Sequence, residues 1–179
     1  MEEKVNQLQG KTHVFLTGDR GAGKSWIARR AAELTGRPCY GFVTRFSDGE
    51  RQALYMTAPA EAERPDEAHR VAERRDGRMR PIGGRFDEVG TALLAEARKH
   101  PEGLILMDEC GHLEKDAARF RQEILRCLDG GIPVLGVLRK GQEWHREILD
   151  HPRTAVVEIG PCDPEKLAEE IARTLEGKA

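Results

Sequence analysis

The segment best suited to chemistry is a glycine-rich run that ends in a lysine and a serine, and it fits the pattern G-x-x-x-x-G-K-[ST]. Glycines let consecutive backbone N–H groups turn inward into an anion-binding nest, and the N-terminus of a following helix adds partial positive charge. Phosphate is the natural occupant, with Lys24 reaching the β and γ phosphates and the Ser25 hydroxyl placed to ligate Mg²⁺. The predicted nucleotide-binding residues are Gly18, Asp19, Arg20, Gly21, Ala22, Gly23, Lys24, Ser25 and Trp26. For Trp26, stacking on a base and packing against the sheet remain open.

Two adjacent carboxylates, Asp108 and Glu109, directly follow the apolar run Leu104-Ile105-Leu106-Met107. Such a run predicts a fully buried strand of a parallel sheet, and open α/β sheets bind their ligands at the carboxyl ends of the strands. We therefore expect Asp108 to hold Mg²⁺, directly or through water, and Glu109 to orient and deprotonate an attacking water. Because phosphoryl transfer to water needs a water-positioning group, this pair favours hydrolysis.

Three cations are candidates to stabilise the charge that develops on the transferred phosphate. Arg20 lies inside the glycine loop, and Arg139 and Lys140 follow the predicted strand 134–138, whose carboxyl end faces the nucleotide. Arg139 is the predicted catalytic cation together with Lys24 and Glu109, whereas for Arg20 a solvated position in a polar loop remains open. The sequence contains no Asn-Lys-x-Asp, so we expect no selection of GTP.

Strands and helices alternate along the chain in a way that positions these residues. Predicted strands cover 13–17, 104–107, 134–138 and 155–159, and predicted helices cover 24–34, 86–100, 116–128, 142–150 and a final stretch that Asp163 caps. Two further β-prone runs, 39–46 and 51–57, flank Ser47-Asp48-Gly49-Glu50, which predicts an antiparallel hairpin. The expected fold is the three-layer α/β fold of P-loop NTPases, a mostly parallel sheet with helices on both faces and an added hairpin.

The stretch 59–81 differs from the rest of the chain. Six acids accompany six arginines, and Val71 and Met79 are the only large apolar residues, so we expect it to add nothing to the core. A charge-balanced, solvated and mobile segment is the plainest interpretation. A phosphate lid and a contact to RNA or to a protein partner stay open, although nothing in the sequence points to such a partner.

Composition narrows the class of protein. The 179 residues, of which 39% are apolar, suit a single domain over 1–179, and 29 basic against 31 acidic residues give a net charge of −2 without a global field for nucleic acid or membranes. No run approaches the roughly 20 apolar residues of a membrane span. The opening residues 1–9 lack the pattern of a secretory signal, and the four cysteines form no C-x-x-C pair. We therefore expect a cytoplasmic protein.

Beyond the glycine loop, four groups of residues resemble a known family, the nucleoside-triphosphatases of the thermophile (THEP) type, which includes the cancer-related nucleoside-triphosphatase. The groups are Gly41-Phe42-Val43-Thr44, Gly49-x-Arg51, Ile82-Gly83-x-x-Phe86, and Asp108-Glu109-Cys110-Gly111-His112-Leu113-Glu114 with Phe120. The sequence departs from the family at Ser25 and Trp26, where threonine is usual, and at His112, where lysine is usual.

The resemblance implies a single-domain enzyme that hydrolyses several nucleoside triphosphates with Mg²⁺. ATP, GTP, CTP and UTP are the expected substrates, and the breadth of this set comes from the resemblance alone. Two alternatives remain open. One is a small-molecule or nucleotide kinase that uses 59–81 as a lid, and the other is a nucleotide-dependent switch or adaptor with little turnover.

Overall fold

A single sheet of eight strands organises the protein in the computed structural model, which describes residues 7–47 and 49–177. Asp48 of the predicted turn lies outside the described residues, as do residues 1–6 of the N-terminal opening. In chain order the strands are β1 (His13–Thr17), β2 (Cys39–Phe46), β3 (Ala53–Thr57), β4 (Arg70–Arg75), β5 (Arg78–Pro81), β6 (Leu104–Cys110), β7 (Val134–Leu138) and β8 (Thr154–Glu158).

The strand order in space is β5-β4-β3-β2-β6-β7-β1-β8. Pairing is parallel from β2 through β6, β7 and β1 to β8, and antiparallel from β2 through β3 and β4 to β5. The predicted, mostly parallel sheet and the predicted hairpin of β2 and β3 are thus confirmed, although β3 begins at Ala53 and not at Arg51. The carboxyl ends of β1, β6 and β7 lie at the same edge, which brings the glycine loop toward the carboxylate pair.

Helices cover both faces of the sheet, as predicted. They are α1 (Lys24–Thr35), α2 (Thr91–Ala97), α3 (Ala118–Asp129), α4 (Arg146–Leu149) and α5 (Pro164–Leu175). One apolar core lies under α1 and α5, and the other lies under α2 and α3. None of the helices in the described part of the chain is long and apolar enough to cross a membrane.

The helix predicted over 86–100 is interrupted near its start. A π-helical turn, Phe86–Gly90, precedes α2, which ends at Ala97. Gly90 allows the ring of Phe120 to pack closely, because a Cβ atom on Gly90 would lie 2.4 Å from Cδ2 of that ring. Because this contact joins residues about thirty positions apart, the local pattern of apolar residues does not predict it.

The expectation that 59–81 contributes nothing to the core was wrong. The segment contains β4 and β5, and two side chains of β4, Val71 and Ala72, are fully buried. They reach the core because β4 pairs with β3 in register, with Leu54 opposite Ala72. The predicted lid role of this segment, its mobility and its contacts to RNA or protein stay predictions.

The last helix has the capping arrangement that its sequence predicts, with Pro164 at its first position. The Asp163 side chain accepts hydrogen bonds from the backbone N–H groups of Glu165 (3.1 Å) and Lys166 (3.3 Å). We expect Asp163→Ala to lower the free energy of unfolding by about 1 kcal/mol, measured by chemical denaturation. Glu169→Ala, at an exposed position of the same helix, is the matched control. Equal stability of the two variants would show that the cap contributes nothing.

Candidate active site

The glycine loop, residues 18–25, connects β1 to α1 with backbone angles that favour glycine. Gly18, Gly21 and Gly23 have φ values of 139°, 81° and 83°, in the region that side chains rarely adopt. At Gly18 space is also limiting, since a Cβ atom would lie 3.0 Å from the carbonyl oxygen of Ile159. The loop therefore needs glycine at these positions, and α1 begins directly after Gly23.

Lys24 folds back over its own loop. Its side chain is buried, and its Nζ donates to the carbonyl oxygens of Gly18 (3.0 Å) and Asp19 (2.8 Å). An ammonium group has three N–H donors, so one remains for a phosphate oxygen after these two bonds. The arrangement holds the positive charge at the mouth of the loop, where an anion would bind.

The two predicted metal ligands are in direct contact. The Ser25 hydroxyl, on the first turn of α1, donates to Oδ1 of Asp108 on β6 at 2.8 Å. Burial raises the pKa of Asp108 above its usual range, while this hydrogen bond and the charges of Arg29 and Lys24 act in the opposite direction. A hydroxyl and a carboxylate are hard oxygen donors of the kind that Mg²⁺ takes alongside phosphate oxygens, so the pair fits that ion.

Glu109 is half-buried and shares Lys24 as a neighbouring cation with Asp108. Burial raises the pKa of Glu109, and the neighbouring charge of Asp108 raises it further, whereas Lys24, Arg139 and Arg20 lower it. A carboxylate with a raised pKa is a better proton acceptor near neutral pH than an ordinary one, provided that it is ionised. The structure thus brings Glu109 together with both candidate arginines.

Arg139 follows the end of β7, as the sequence predicts. Its backbone N–H donates to the carbonyl oxygen of Cys110 (2.9 Å), and its Nη1 donates to Nδ1 of His112 (3.1 Å). These contacts tie Arg139 to the segment that follows Glu109. Lys140 instead pairs with Glu158 (2.6 Å) and lies 3.8 Å from Asp19 of the glycine loop.

A cleft of about 650 Å³ opens above the glycine loop. Trp26 lines it and is 47% exposed, so its side chain faces this cleft and is not packed under the sheet. Ala22, by contrast, packs against the apolar core near α1. The lining also includes Arg51 of the Gly49-x-Arg51 motif and Arg74 of the segment 59–81, for which a phosphate lid stayed open. Phe46 and Met79 complete this side of the cleft and had no predicted role at the site.

Thr44 was also missed as a functional residue, although its motif carried the family resemblance. From β2, its hydroxyl donates to the carbonyl oxygen of Asp108 (3.3 Å) and accepts from the backbone N–H of Glu109 (3.3 Å). It therefore holds both ends of the peptide unit that joins the two carboxylates. The pairing of β2 with β6 creates this contact across 64 positions of sequence, so only the resemblance signalled it.

We expect Thr44→Val to lower kcat about tenfold with little change in nucleotide affinity, because losing two backbone hydrogen bonds of about 1 kcal/mol each loosens the position of Glu109. Thr44→Ser keeps the hydroxyl and is expected to retain most of the rate. Steady-state phosphate release and nucleotide titration measure the two quantities. A valine variant as fast as wild type would mean that Thr44 has no positioning role.

Glu114 stabilises the segment 110–112, which follows the two carboxylates. It is buried and accepts a hydrogen bond from the backbone N–H of Gly111 (3.0 Å), and burial raises its pKa to about 7. Trp144 Nε1 donates to the carbonyl oxygen of the same glycine (2.8 Å). Residues 110–112 are therefore held from two sides, which steadies the contact between His112 and Arg139.

The sheet is mostly parallel and is covered by helices on both faces, and the glycine loop and the carboxylate pair meet at its carboxyl edge. These features place the protein among folds of the P-loop NTPase type. The model of the family described as NTPase (NTPase_1) matches residues 13–172, so the chain belongs to this family. It is accordingly a nucleoside-triphosphate phosphohydrolase, which confirms the family resemblance found in the motifs.

Relatives of nearly equal length support this assignment. Nucleoside-triphosphatase THEP1 of Natranaerobius thermophilus is 23% identical over 176 residues, covering 93% of this chain and 97% of the relative. THEP1 of Aquifex aeolicus is 22% identical over 175 residues, covering 91% and 98%. In fold, the chain is similar to the crystal structure of THEP1 from Aquifex aeolicus, with a TM-score of 0.71 at 20% identity over 92% of this chain and 99% of that one.

Proposed function

We propose that the protein hydrolyses nucleoside triphosphates to diphosphate and phosphate with Mg²⁺, with the triphosphate bound in the cleft above the glycine loop. The contact of 2.8 Å between the Ser25 hydroxyl and Asp108, one residue before Glu109, carries the proposal. It joins a phosphate-binding helix start to a carboxylate pair at the edge of the sheet, which is the arrangement that phosphoryl transfer to water needs.

The binding step rests on the loop. Its backbone N–H groups and the start of α1 would hold the phosphates, and Lys24 would contact the β and γ phosphate oxygens. Ser25 and Asp108 would hold Mg²⁺, and Trp26 would border the nucleoside. The chemistry that Mg²⁺ supplies when bound is neutralisation of charge between the β and γ phosphates.

The chemical step is assigned to Glu109, which would orient a water molecule toward the γ-phosphorus and accept its proton. The raised pKa of Glu109 and its position next to Lys24 support this role. Arg139 is the proposed cation for the developing negative charge, since its backbone and guanidinium are both tied to residues just beyond Glu109. Arg20 lines the same cleft and is a second source of positive charge.

We expect ATP, GTP, CTP and UTP to be hydrolysed with kcat/KM values within about tenfold of one another, which corresponds to about 1.4 kcal/mol. The sequence has no guanine-reading motif, and the aromatic rings at the cleft, Trp26 and Phe46, are able to stack on any base. Phosphate-release kinetics with each nucleotide measure the spread. A preference for one base above about a hundredfold (about 2.7 kcal/mol) would reveal specific contacts to base edges.

The same assay tests the proposed function as a whole when it is run with Mg²⁺ and again with a chelator in excess. Release of phosphate that needs the metal is the expected result. Tight nucleotide binding without phosphate release would instead favour the switch or adaptor.

The cellular location and domain organisation remain part of the proposal. The four cysteines are all free thiols, which supports a reducing compartment, and we propose the cytoplasm. The single sheet, with its two cores on opposite faces, supports one domain over 1–179.

A further inference from the structure

A second cleft, of about 800 Å³, adjoins the nucleotide cleft and is not explained by hydrolysis. It runs along α1 from Ser25 to Gly36 and along the end of β2. Ser25, Phe46 and Glu109 line both clefts. A molecule in the second cleft would therefore meet the residues that face the γ-phosphate of a bound triphosphate.

The two acids along the outer part of this second cleft each have an arginine partner, and Arg30 is shared with Glu165. Glu33 pairs with Arg30 at 3.3 Å, and Glu63 pairs with Arg45 at 2.7 Å. Asp108 and Glu109 are the remaining acids of the lining, and the proposed function assigns them to the metal and to the proton of the attacking group. The lining thus holds three arginines and four acids, and its net charge becomes positive only when Mg²⁺ offsets Asp108 and Glu109.

Arg29 and Arg37 are the remaining cations of the lining, and the charge of Arg29 also acts on Asp108. Each donates to a backbone carbonyl oxygen, Arg29 to Ser25 and Arg37 to Gly103, both at 3.3 Å. Neither forms an ion pair within residues 7–47 and 49–177. Two guanidinium groups with donors to spare favour an anion, and phosphate matches their planar geometry.

The remaining surface of the second cleft is apolar. Ala32 of α1, Val43 of β2 and Leu106 of β6 contribute to it, and the Phe46 ring stands at its border, 46% exposed. Pockets of about 300–1,000 Å³ usually hold small organic molecules. The size, the apolar lining and the two arginines together fit a small organic phosphate better than a bare inorganic anion.

We propose that the second cleft binds a hydroxyl-bearing organic phosphate, such as a sugar phosphate or a nucleoside monophosphate, whose hydroxyl takes the γ-phosphoryl group in place of water. The proposal rests on the proposed function, because it uses the same glycine loop and Glu109. The hydroxyl oxygen forms a bond to the γ-phosphorus, the bond from that phosphorus to the β–γ bridging oxygen breaks, and the hydroxyl proton goes to Glu109. The products are a nucleoside diphosphate and a phosphate monoester. When the second cleft holds no acceptor, water reacts with the γ-phosphorus instead, and the result is hydrolysis.

Binding is tested by calorimetric titration with ribose 5-phosphate and with AMP, with GDP and Mg²⁺ in excess so that the nucleotide cleft is filled. Adenosine is the control for binding without a phosphate group, and inorganic phosphate is the control for binding of the anion alone. We expect at least one organic phosphate to bind more tightly than either control. Arg37→Gln is expected to weaken that binding about tenfold or more, whereas Arg173→Gln, on α5 and paired with Glu170, leaves it unchanged.

GDP binding reports that each variant is folded. Ala62→Glu, which adds a negative charge to the wall of the second cleft, is a second variant expected to weaken the same binding. If neither organic phosphate binds, or if binding is insensitive to both Arg37→Gln and Ala62→Glu, the proposed site is wrong.

Transfer is tested with GTP as the donor and phosphorus NMR as the readout. The expected result is a new phosphate monoester, with GDP equal in amount to the sum of this ester and the inorganic phosphate from competing hydrolysis. Binding without any new ester, in an enzyme that still releases inorganic phosphate, would overturn the acceptor role and leave hydrolysis intact. An enzyme that releases no phosphate from any triphosphate and forms no ester would overturn the proposed function itself.

Discussion

Lys24→Ala is expected to lower the affinity for ATP with Mg²⁺ by about a hundredfold or more, because charge-assisted hydrogen bonds to phosphate contribute roughly 1.5–3 kcal/mol each. Lys24 is buried with its ammonium held at the loop by the carbonyl oxygens of Gly18 and Asp19, so its charge lies close to where the phosphates would bind. Calorimetric titration measures the loss directly.

The fold is expected to survive this change, since the side chain contacts only carbonyl oxygens of its own loop among the hydrogen bonds of the described residues. Lys166→Ala, at an exposed position of α5, is the matched control for removal of one positive charge. If Lys24→Ala binds ATP as tightly as the control and releases phosphate normally, residues 18–25 are not the phosphate-binding loop.

Glu109→Gln is expected to lower kcat by about 10²- to 10⁴-fold, the usual contribution of a general base. Glutamine keeps the size of the side chain but removes the carboxylate that accepts the proton. Nucleotide affinity should change little, because Lys24, Ser25 and Asp108 provide the proposed contacts to phosphate and metal. Phosphate release at saturating ATP gives kcat, and equilibrium titration gives the affinity.

The pH dependence of kcat offers a second readout of Glu109. Because its pKa is raised above the usual 4.5, the ionised base is lost as pH falls through that raised pKa, and kcat should fall with it. At higher pH the carboxylate is fully ionised and this dependence ends. The residual activity of Glu109→Gln should lack this acidic limb. If it keeps the same limb, another group is the base.

The parts of the site that lie in one continuous stretch could be predicted from the sequence. The glycine loop and its flanking strand and helix follow from local geometry, since glycine is needed at positive φ and Lys24 and Ser25 start α1. The position of the carboxylate pair at the carboxyl end of the strand was predictable, because acids that follow an apolar run lie at this edge of the sheet. The strand itself is longer than predicted, since β6 continues through both acids to Cys110.

The parts that depend on strand pairing could not be predicted. Thr44 contacts the carboxylate pair only because β2 lies beside β6, and Arg74 reaches the nucleotide cleft only because β4 continues the sheet beyond β3. The burial of Val71 and Ala72 could not be predicted, because two adjacent apolar residues among charged ones give no periodic pattern. The second cleft likewise combines side chains of α1, β2 and β6 that have no common sequence signal.

In the proposed mechanism the two adjacent carboxylates have different tasks, Asp108 at the metal and Glu109 at the attacking water. The most direct test is the rate of phosphate release from ATP as a function of Mg²⁺ concentration for wild type, Glu109→Gln and Asp108→Asn. We expect Glu109→Gln to be slow at every Mg²⁺ concentration with an unchanged half-saturating Mg²⁺, whereas Asp108→Asn should need more Mg²⁺. A wild-type rate for Glu109→Gln, or an equal shift in the Mg²⁺ requirement of both variants, would contradict it.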